Sequence, residues 1–206
     1  MRIGIVAEGN TDFPVIMKII NSLMADAQCK RLSPPPLKGV GGWTSVRAWC
    51  RRNRKTLKAK LSLRKIDILI LQIDADVAGE LKIAEPCPPA SDTTEKLRKL
   101  IIEDWLGIDT IPPYVILCIP SLRIEAWIVE ALIPGIKNIE CSNRIEEIMI
   151  YYNAITERVR RNKKSTRKYK ELAKITAKKL DIISAVCTEA DHFRQDIENA
   201  FNNPLT

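Results

Sequence analysis

Residues 66–79 read IDILILQIDADVAG, an apolar run rich in isoleucine and leucine that ends in two aspartates and a glycine. A run of this kind is typical of a strand buried on both faces of a parallel sheet. Side chains two apart on a strand point the same way, so Asp74 and Asp76 are expected to project together from its carboxyl end. Ligands of open α/β sheets bind at that edge. Repulsion between the two carboxylates favours a hard cation such as Mg²⁺.

The composition is that of a folded, basic protein. The chain has 206 residues, of which 46% are apolar, and this predicts one α/β domain with a small helical addition. Its net charge of +8 favours a polyanionic partner such as nucleic acid, although a basic surface can also be merely solvated. Six cysteines without a CxxC pair and a single histidine show no zinc pattern, and a reduced, cytoplasmic compartment is the simplest interpretation. No stretch is typical of a signal peptide or a membrane span, so no membrane partner is expected.

Strands and helices alternate over the first two thirds of the sequence, which indicates a parallel sheet flanked by helices. After Cys141 the pattern becomes helical, and no nucleotide-binding P-loop motif occurs. We expect an α/β domain at residues 1–140 and a basic helical extension at residues 141–206 that packs on it. The predicted strands are 2–7, 29–32, 66–73 and 114–119; loops rich in proline or glycine occur at 33–42 and 78–90; the predicted helices are 11–25 (capped by Asn10 or Thr11), 43–61, 92–105 (opened by an Asp92–Glu95 capping box and stopped by Gly107), 122–132, 143–161, 166–180 and 189–201.

Acidic side chains follow three of the predicted strands. Because parallel strands end at one edge of a sheet, these groups can converge around one crevice. Five carboxylates there could not all stay ionised without a cation, and one or two Mg²⁺ or Mn²⁺ ions would resolve the repulsion. Asp12 could instead cap a helix, Glu125 could be part of a surface ion pair, and the lone His192 is expected to be structural. The candidate metal ligands are Glu8, Asp12, Asp74, Asp76, Ser121 and Glu125.

Two segments concentrate positive charge. Residues 43–65 contain nine Lys or Arg and no acid, and residues 158–179 contain eleven Lys or Arg and one Glu. In a helix over residues 43–61, the basic side chains form one stripe and Val46, Trp49, Cys50 and Leu57 form an apolar stripe that would pack on the sheet. Such a basic stripe either binds phosphates or is a solvated face. The candidate nucleic-acid contacts are Arg47, Arg51, Arg54, Lys55, Lys58, Lys168 and Lys170.

Glu8-Gly9 after the first strand and the DxDxxG run from Asp74 to Gly79 resemble the Toprim domain of topoisomerases, bacterial primases and OLD-family nucleases. The resemblance implies that the aspartates hold Mg²⁺ and that Glu8 is a ligand or a general acid/base in phosphodiester chemistry. The fuller EGxTD form, with Asp12, looks more like the OLD-type and RloB-like branches. In OLD-type sites, a second acid four residues after the glutamate helps to bind metal, and a serine and a glutamate near the last strand join the site. The resemblance implies these roles for Asp12, Ser121 and Glu125.

The phrase PSLRIEAWIVEA, residues 120–131, is also similar to a segment of RloB-like proteins, which accompany restriction or phage-defence loci. Tyr169-Lys170 and the closing residues 203–206 are weaker similarities. The sequence shows no OLD ATPase module, so an ATPase would be a separate chain. The basic catalytic residue of OLD nucleases has no clear match, and Lys168, Lys170 and Arg123 are candidates.

These features together predict a Mg²⁺-dependent nuclease that cuts DNA or RNA, as the effector of a defence system, with Glu8 and Asp74 as catalytic residues. Metal would polarise the scissile phosphate and activate a water molecule. The alternative is a non-catalytic Toprim-like subunit that docks to an ATPase or to nucleic acid. A small-molecule phosphotransferase of doubly wound fold would use the same aspartates, and it is disfavoured by the basic charge of the chain.

Overall fold

The computed structural model describes residues 1–33, 41–83, 87, 90–156 and 163–202. It shows an α/β protein in which a four-stranded parallel sheet is flanked by helices, so the predicted Rossmann-like fold class is confirmed. The predicted loop residues 34–36 and 39–40, part of the loop at 78–90 and the closing residues 203–206 lie outside the described residues.

The sheet places the three acidic strand ends next to one another. Its order is β2-β1-β3-β4, and neighbouring strands are parallel throughout. Ile5 is opposite Ile70, which is opposite Ile116. The strands are β1 (Arg2–Val6), β2 (Gln28–Ser33), β3 (Ile68–Gln72) and β4 (Val115–Cys118). Every residue of β3 is buried, which explains why its sequence is continuously apolar.

The two faces of the sheet are covered by different parts of the chain. Ile68 and Ile70 of β3 pack into one core with the first helix and the last helices, whereas Leu69 and Leu71 pack into the other core. This alternation follows from the two-residue period of a strand. The helices are α1 (Asp12–Leu23), α2 (Trp43–Asn53), α3 (Leu57–Leu63), α4 (Ala90–Leu100), α5 (Glu125–Leu132), α6 (Ile145–Tyr151), α7 (Thr166–Lys178), α8 (Leu180–Ser184) and α9 (Thr188–Asn202).

The C-terminal helices pack directly on the α/β core. Helix α7 contacts α1 and α5, and α9 contacts β4. Tyr169 of α7 is completely buried, and Phe193 of α9 stacks on Trp127 of α5 with ring centroids 6.1 Å apart. These contacts bring the start of α7 to the edge of the sheet where β1 and β3 end.

The basic helix predicted at 43–61 is broken, which corrects the expectation of one continuous stripe. Helix α2 ends at Asn53, a 3₁₀ turn covers Arg54–Thr56, and α3 then begins. The buried Asn53 explains the break, because its amide donates to the carbonyl of Trp49 and its side-chain oxygen accepts from Lys60. Such side chains compete with the helical backbone. The apolar residues Val46, Cys50 and Leu57 pack against the sheet as predicted.

The predicted helix at 143–161 is also wrong at residues 152–156, and its last residues, 157–161, lie outside the described residues. Asn153 has a φ of 56°, its N–H donates to the carbonyl of Ile150, and the N–H of Ala154 donates to that of Met149. This is a Schellman motif, which ends a helix and for which asparagine is suited. The chain then forms a small antiparallel hairpin of β5 (Ile155–Thr156) and β6 (Lys163–Lys164).

Two further expectations need correction. Helix α4 begins at Ala90, upstream of the predicted capping box, and Glu95 pairs with Arg98 instead of capping the helix. A π-helical stretch, Ile101–Leu106, extends α4 as far as Gly107. Gly107 has a φ of 64° and ends the helix as predicted. Cys87 and Cys141 form a disulfide, so the expectation that all cysteines are reduced is wrong for this pair, which is 54 residues apart in sequence and shows no motif. Within the described ranges, no helix is both long and apolar enough to cross a membrane.

Candidate functional site

A cleft of about 350 Å³ lies at the carboxyl ends of β1 and β3. It is lined by residues 8–12, the glycine pair Gly41-Gly42, Asp74, Lys164 and Thr166. Of the predicted metal ligands, Glu8, Asp12 and Asp74 therefore line one cavity, while Glu125 lies close enough to affect the pKa values of Asp12 and Asp74.

Glu8 and Asp74 are tied to each other by hydrogen bonds across the two central strands. The backbone N–H of Asp74 donates to Oε1 of Glu8 over 3.1 Å. Gln72, which is fully buried, accepts from the N–H of Glu8 over 3.0 Å and donates to Oδ1 of Asp74 over 2.9 Å. Asp74 also accepts from the N–H of Ile124 over 3.1 Å. This network fixes the two carboxylates as a unit and makes Gln72 a positioning residue that the sequence pattern does not reveal.

Asp12 is held against the turn that carries Glu8. Its Oδ2 accepts from the N–H of Gly9 over 2.7 Å, and Thr11 donates to its Oδ1 over 3.3 Å. The predicted capping by a side chain at residue 10 or 11 is wrong, because the Thr11 position makes no such bond. The carboxylate of Asp12 instead closes the turn from the first helical position.

The glycine pair Gly41-Gly42 touches the same turn from the other side. The N–H of Gly42 donates to the carbonyl of Glu8 over 2.8 Å, and a Cβ atom on Gly41 would collide with that carbonyl oxygen. Gly42 has a φ of 99°, which residues with a side chain rarely adopt. Glycine is therefore required here so that the start of α2 can pack against Glu8.

Glu125 carries two donors on one oxygen and none on the other. The hydroxyl of Tyr169 donates to its Oε1 over 2.5 Å, and Nζ of Lys164 lies 2.5 Å from the same atom. Its Oε2 is buried and has no hydrogen-bond partner among the described residues. Glu125 itself is 1% exposed, so an unpartnered oxygen here is costly unless a ligand meets it.

The acidic side chains raise one another's pKa values. Burial raises the pKa of Glu8 to about 8, helped by the charges of Asp12 and Asp76 and opposed by the hydrogen bond from Asp74. Burial also raises the pKa of Asp12, and it raises that of Asp74 well above its ordinary range together with Asp12, Glu125 and Glu8. Glu125 is the exception, because Lys164 and Tyr169 outweigh its burial and lower its pKa.

Lys164 supplies the positive charge inside the cluster. Burial lowers the pKa of Lys164, but the carboxylates of Glu125, Asp12 and Asp74 more than offset this effect and raise it above its ordinary value. In the sequence, Lys164 is only one of many cations in the run at 158–179. Lys164 is far from the acids in sequence, and the helix predicted at 143–161 hides the hairpin that brings it to the cleft. The one signal nearby is Tyr169, which shares the partner Glu125 and has a weak similarity to RloB-like proteins.

Two of the predicted ligands engage other partners. Asp76 does not continue the strand, because a 3₁₀ turn covers Ala75–Val77, and its carboxylate lies 3.1 Å from Nε of Arg123. The expectation that the two aspartates project together from a strand is thus corrected. Ser121 donates to Oε1 of Glu140 over 2.8 Å, and Glu140 also accepts from the N–H of Thr188. In this arrangement Arg123 competes with a metal for Asp76, and Glu140 competes with a metal for Ser121.

The predicted nucleic-acid contacts are spread over two separate surfaces. Arg51 forms an ion pair with Asp104 over 2.6 Å, and the guanidinium of Arg47 lies 4.6 Å from the ring centroid of Trp43. Arg54 lies against Gly107, and Lys55 and Lys58 follow the break in the helix. Lys168 and Lys170 lie instead on α7, about half a turn and one turn from the cleft-lining Thr166, and Lys168 pairs with Glu171.

The donor set of the cleft fits a hard divalent cation, but the side chains are not yet arranged around one. As they stand, no three histidine, cysteine or carboxylate side chains in the described part of the chain could hold a metal ion. The candidates nevertheless supply only oxygen ligands, one of them is the orphaned Oε2 of Glu125, and three have raised pKa values that a cation would relieve. The side chains would have to move in order to surround a cation.

Comparisons with known proteins gave no matching family model, curated protein or solved structure. The functional interpretation therefore depends on the geometry of the cleft and on the resemblance of its motifs.

Proposed function

We propose that this protein is a Mg²⁺-dependent nuclease that hydrolyses phosphodiester bonds of DNA or RNA. The observation that carries the proposal is the convergence of Glu8, Asp12, Asp74 and Glu125 at one edge of a parallel sheet in a basic protein. Buried carboxylates that raise one another's pKa values are a recurrent feature of catalytic sites. The resemblance to Toprim domains supports the same chemistry, and the RloB-like segment supports a role as a defence effector.

Glu8, Asp12, Asp74 and Glu125 would hold the metal. Bound Mg²⁺ or Mn²⁺ polarises a phosphoryl oxygen and lowers the pKa of an attacking water molecule. Gln72 and Tyr169 hold the carboxylates of Asp74 and Glu125 in place. Glu8, which is less deeply buried than Asp12 and Asp74, would either ligate the metal or relay a proton. The basic α2 and α7 would bring the phosphate backbone to the cleft.

The test is cleavage of end-labelled single-stranded and double-stranded DNA and RNA by the purified chain with Mg²⁺, Mn²⁺ or chelator. Wild type is expected to cut at least one substrate only when a divalent cation is present. Glu8→Gln keeps the size of the side chain and is expected to lower the cleavage rate by at least about 10²-fold. Glu103→Gln removes the same charge from an exposed position and serves as the control.

A second candidate is a non-catalytic Toprim-like subunit that binds nucleic acid or a separate ATPase. The ion pairs of Lys164 with Glu125 and of Arg123 with Asp76 favour it, because they neutralise the site without a metal. Under this alternative, wild type retains nucleic acid in gel-shift experiments but cleaves none of the four substrates with either cation. Divalent-dependent cleavage that Glu8→Gln abolishes would exclude it.

A further inference from the structure

Lys164 places its ammonium group among the carboxylates of the cleft. Its ammonium group pairs with Oε1 of Glu125. The charges of Asp12 and Asp74 raise the pKa of Lys164, and the charge of Lys164 in turn opposes the raised pKa of Glu8. It is the only lysine or arginine among the residues that line the described cleft. A monovalent side-chain cation and a divalent metal ion are therefore attracted to the same group of oxygens.

The position of Lys164 on a short hairpin would allow its side chain to move away from Glu125. It stands on β6, which is held to β5 by a hairpin of only two residues per strand. Its side chain is 40% exposed, whereas that of Glu125 is 2% exposed. The lysine thus approaches the carboxylates from the solvent side, and rotation of its long side chain would release Glu125 without moving the core.

The remaining contacts of Glu125 do not depend on Lys164. Tyr169, which is fully buried on α7, donates to Oε1 and keeps the carboxylate in place. The orphaned Oε2 offers a ligand atom that Lys164 does not use. Departure of the lysine would leave Glu125 oriented, buried and in need of another cation.

We propose that Lys164 is an exchangeable internal counter-ion of the cleft, so that a divalent cation must displace its ammonium group from Glu125 in order to bind. This inference rests on the metal site of the proposed function and adds to it a competitor built into the chain. The exchange accounts for a cluster that has metal-type ligands but no ready three-ligand arrangement in the described residues. It also frees a cation at the rim of the cleft, where a phosphate group of the substrate would arrive.

Calorimetric titration of the full-length chain with Mn²⁺ tests the exchange. Lys164→Met keeps most of the length of the side chain and removes its charge. It is expected to tighten Mn²⁺ binding by at least about 10-fold, since an adjacent unit charge no longer competes. Lys174→Met makes the same substitution at an exposed position of α7 and is expected to leave Mn²⁺ affinity within about 2-fold. Circular dichroism confirms that each variant is folded.

A second measurement uses wild type and does not depend on a variant. Labelling of Lys164 by an amine-reactive reagent, followed by mass spectrometry, is expected to rise several-fold with saturating Mn²⁺, while labelling of Lys174 stays constant. Unchanged or weaker Mn²⁺ binding by Lys164→Met, or unchanged labelling, would show that Lys164 stays in place and would overturn the exchange. Absence of Mn²⁺ binding by wild type would overturn both proposals. Metal exchange without any cleavage would overturn the nuclease alone.

Discussion

The acidic cleft and the basic segment of α2 and α3 both concentrate charge of one sign, but they are built differently. Asp12, Asp74 and Glu125 are each at most 6% exposed, and four of their six carboxylate oxygens accept a hydrogen bond from a named donor. The arginines of α2 are largely at the surface, and Arg51, with 47% of its side chain exposed, pairs with Asp104. Buried charges must be matched atom by atom, whereas exposed charges are screened by water and salt.

Charge patterns in a sequence are informative where the fold forces the charged residues together. The acids follow apolar strands, so the sheet forces them together and burial makes their repulsion large. The basic residues follow no such constraint, and one buried residue, Asn53, is enough to divide their stripe. The geometry of the cleft therefore supports a proposal for its function, whereas the two basic surfaces are compared by experiment below.

The largest effect is expected when Asp74 and Asp76 are both replaced by asparagine. Mn²⁺ binding should fall below calorimetric detection, because the cleft would lose the carboxylate of Asp74, which hydrogen bonds join to Gln72 and Glu8. Thermal stability in chelator should rise, because Asp74 is buried among like charges. Replacing the exposed Asp26 and Asp109 by asparagine removes the same charge and should change neither quantity.

The single variants divide this effect between the two aspartates. Asp74→Asn alone should reproduce nearly the whole loss of binding, whereas Asp76→Asn should weaken binding by no more than about 10-fold, since Asp76 pairs with Arg123 at the surface. Equal losses would mean that Arg123 releases Asp76 to the metal. Unchanged binding in the double variant would remove both from the site.

Much of the fold could be predicted from the sequence because local pattern and tertiary structure agree there. The apolar run before Asp74 is the buried strand β3, and the spacing in α1 matches its buried face. The prediction failed where one polar side chain redirected the backbone, at Asn53 and at Asn153. Propensity and periodicity average over a window and miss such single residues.

The site was predictable only in part for the same physical reason. Acids that follow parallel strands converge, so Glu8, Asp12 and Asp74 could be grouped in advance. Lys164 reaches the cleft through a hairpin that the helical pattern concealed, and the Cys87–Cys141 disulfide joins distant segments. Long-range partners that share no strand edge leave no trace in sequence spacing.

An intermediate effect is expected from the two basic surfaces. Lys170, Lys174 and Lys178 lie on the exposed side of α7, the helix that begins at the cleft. Their replacement by alanine should reduce the steepness with which log affinity for nucleic acid falls with log salt by roughly two to three. Each lost phosphate contact accounts for about 0.7 to 0.9 of this change. Replacing Arg47, Arg51 and Arg54 removes equal charge and should lower the slope less, because Arg51 already pairs with Asp104. Binding measured from low to high salt compares the two, and a larger change from the α2 set would reverse the assignment.

The smallest effect is expected in the pH dependence of stability. The pKa of Glu8 is raised from 4.5 to about 8, so folding takes up a proton between these values, and stability in chelator should fall as the pH rises through this window and level off above it. Glu125 acts in the opposite sense, because its lowered pKa adds stability that is lost as the pH falls below about 4.5. A tenfold difference in proton affinity between the folded and unfolded chain corresponds to about 1.4 kcal/mol, or roughly 3–6 °C in melting temperature for a chain of this size. The melting temperature of wild type should therefore fall from pH 5 to pH 9. It should fall less steeply in Glu8→Gln, in which Asp12 and Asp74 still have raised pKa values, and less steeply when Mn²⁺ replaces the proton. The Arg47, Arg51 and Arg54 variant should keep the wild-type slope, and a slope that Mn²⁺ leaves unchanged would mean that the raised pKa of Glu8 belongs to a structural carboxyl group.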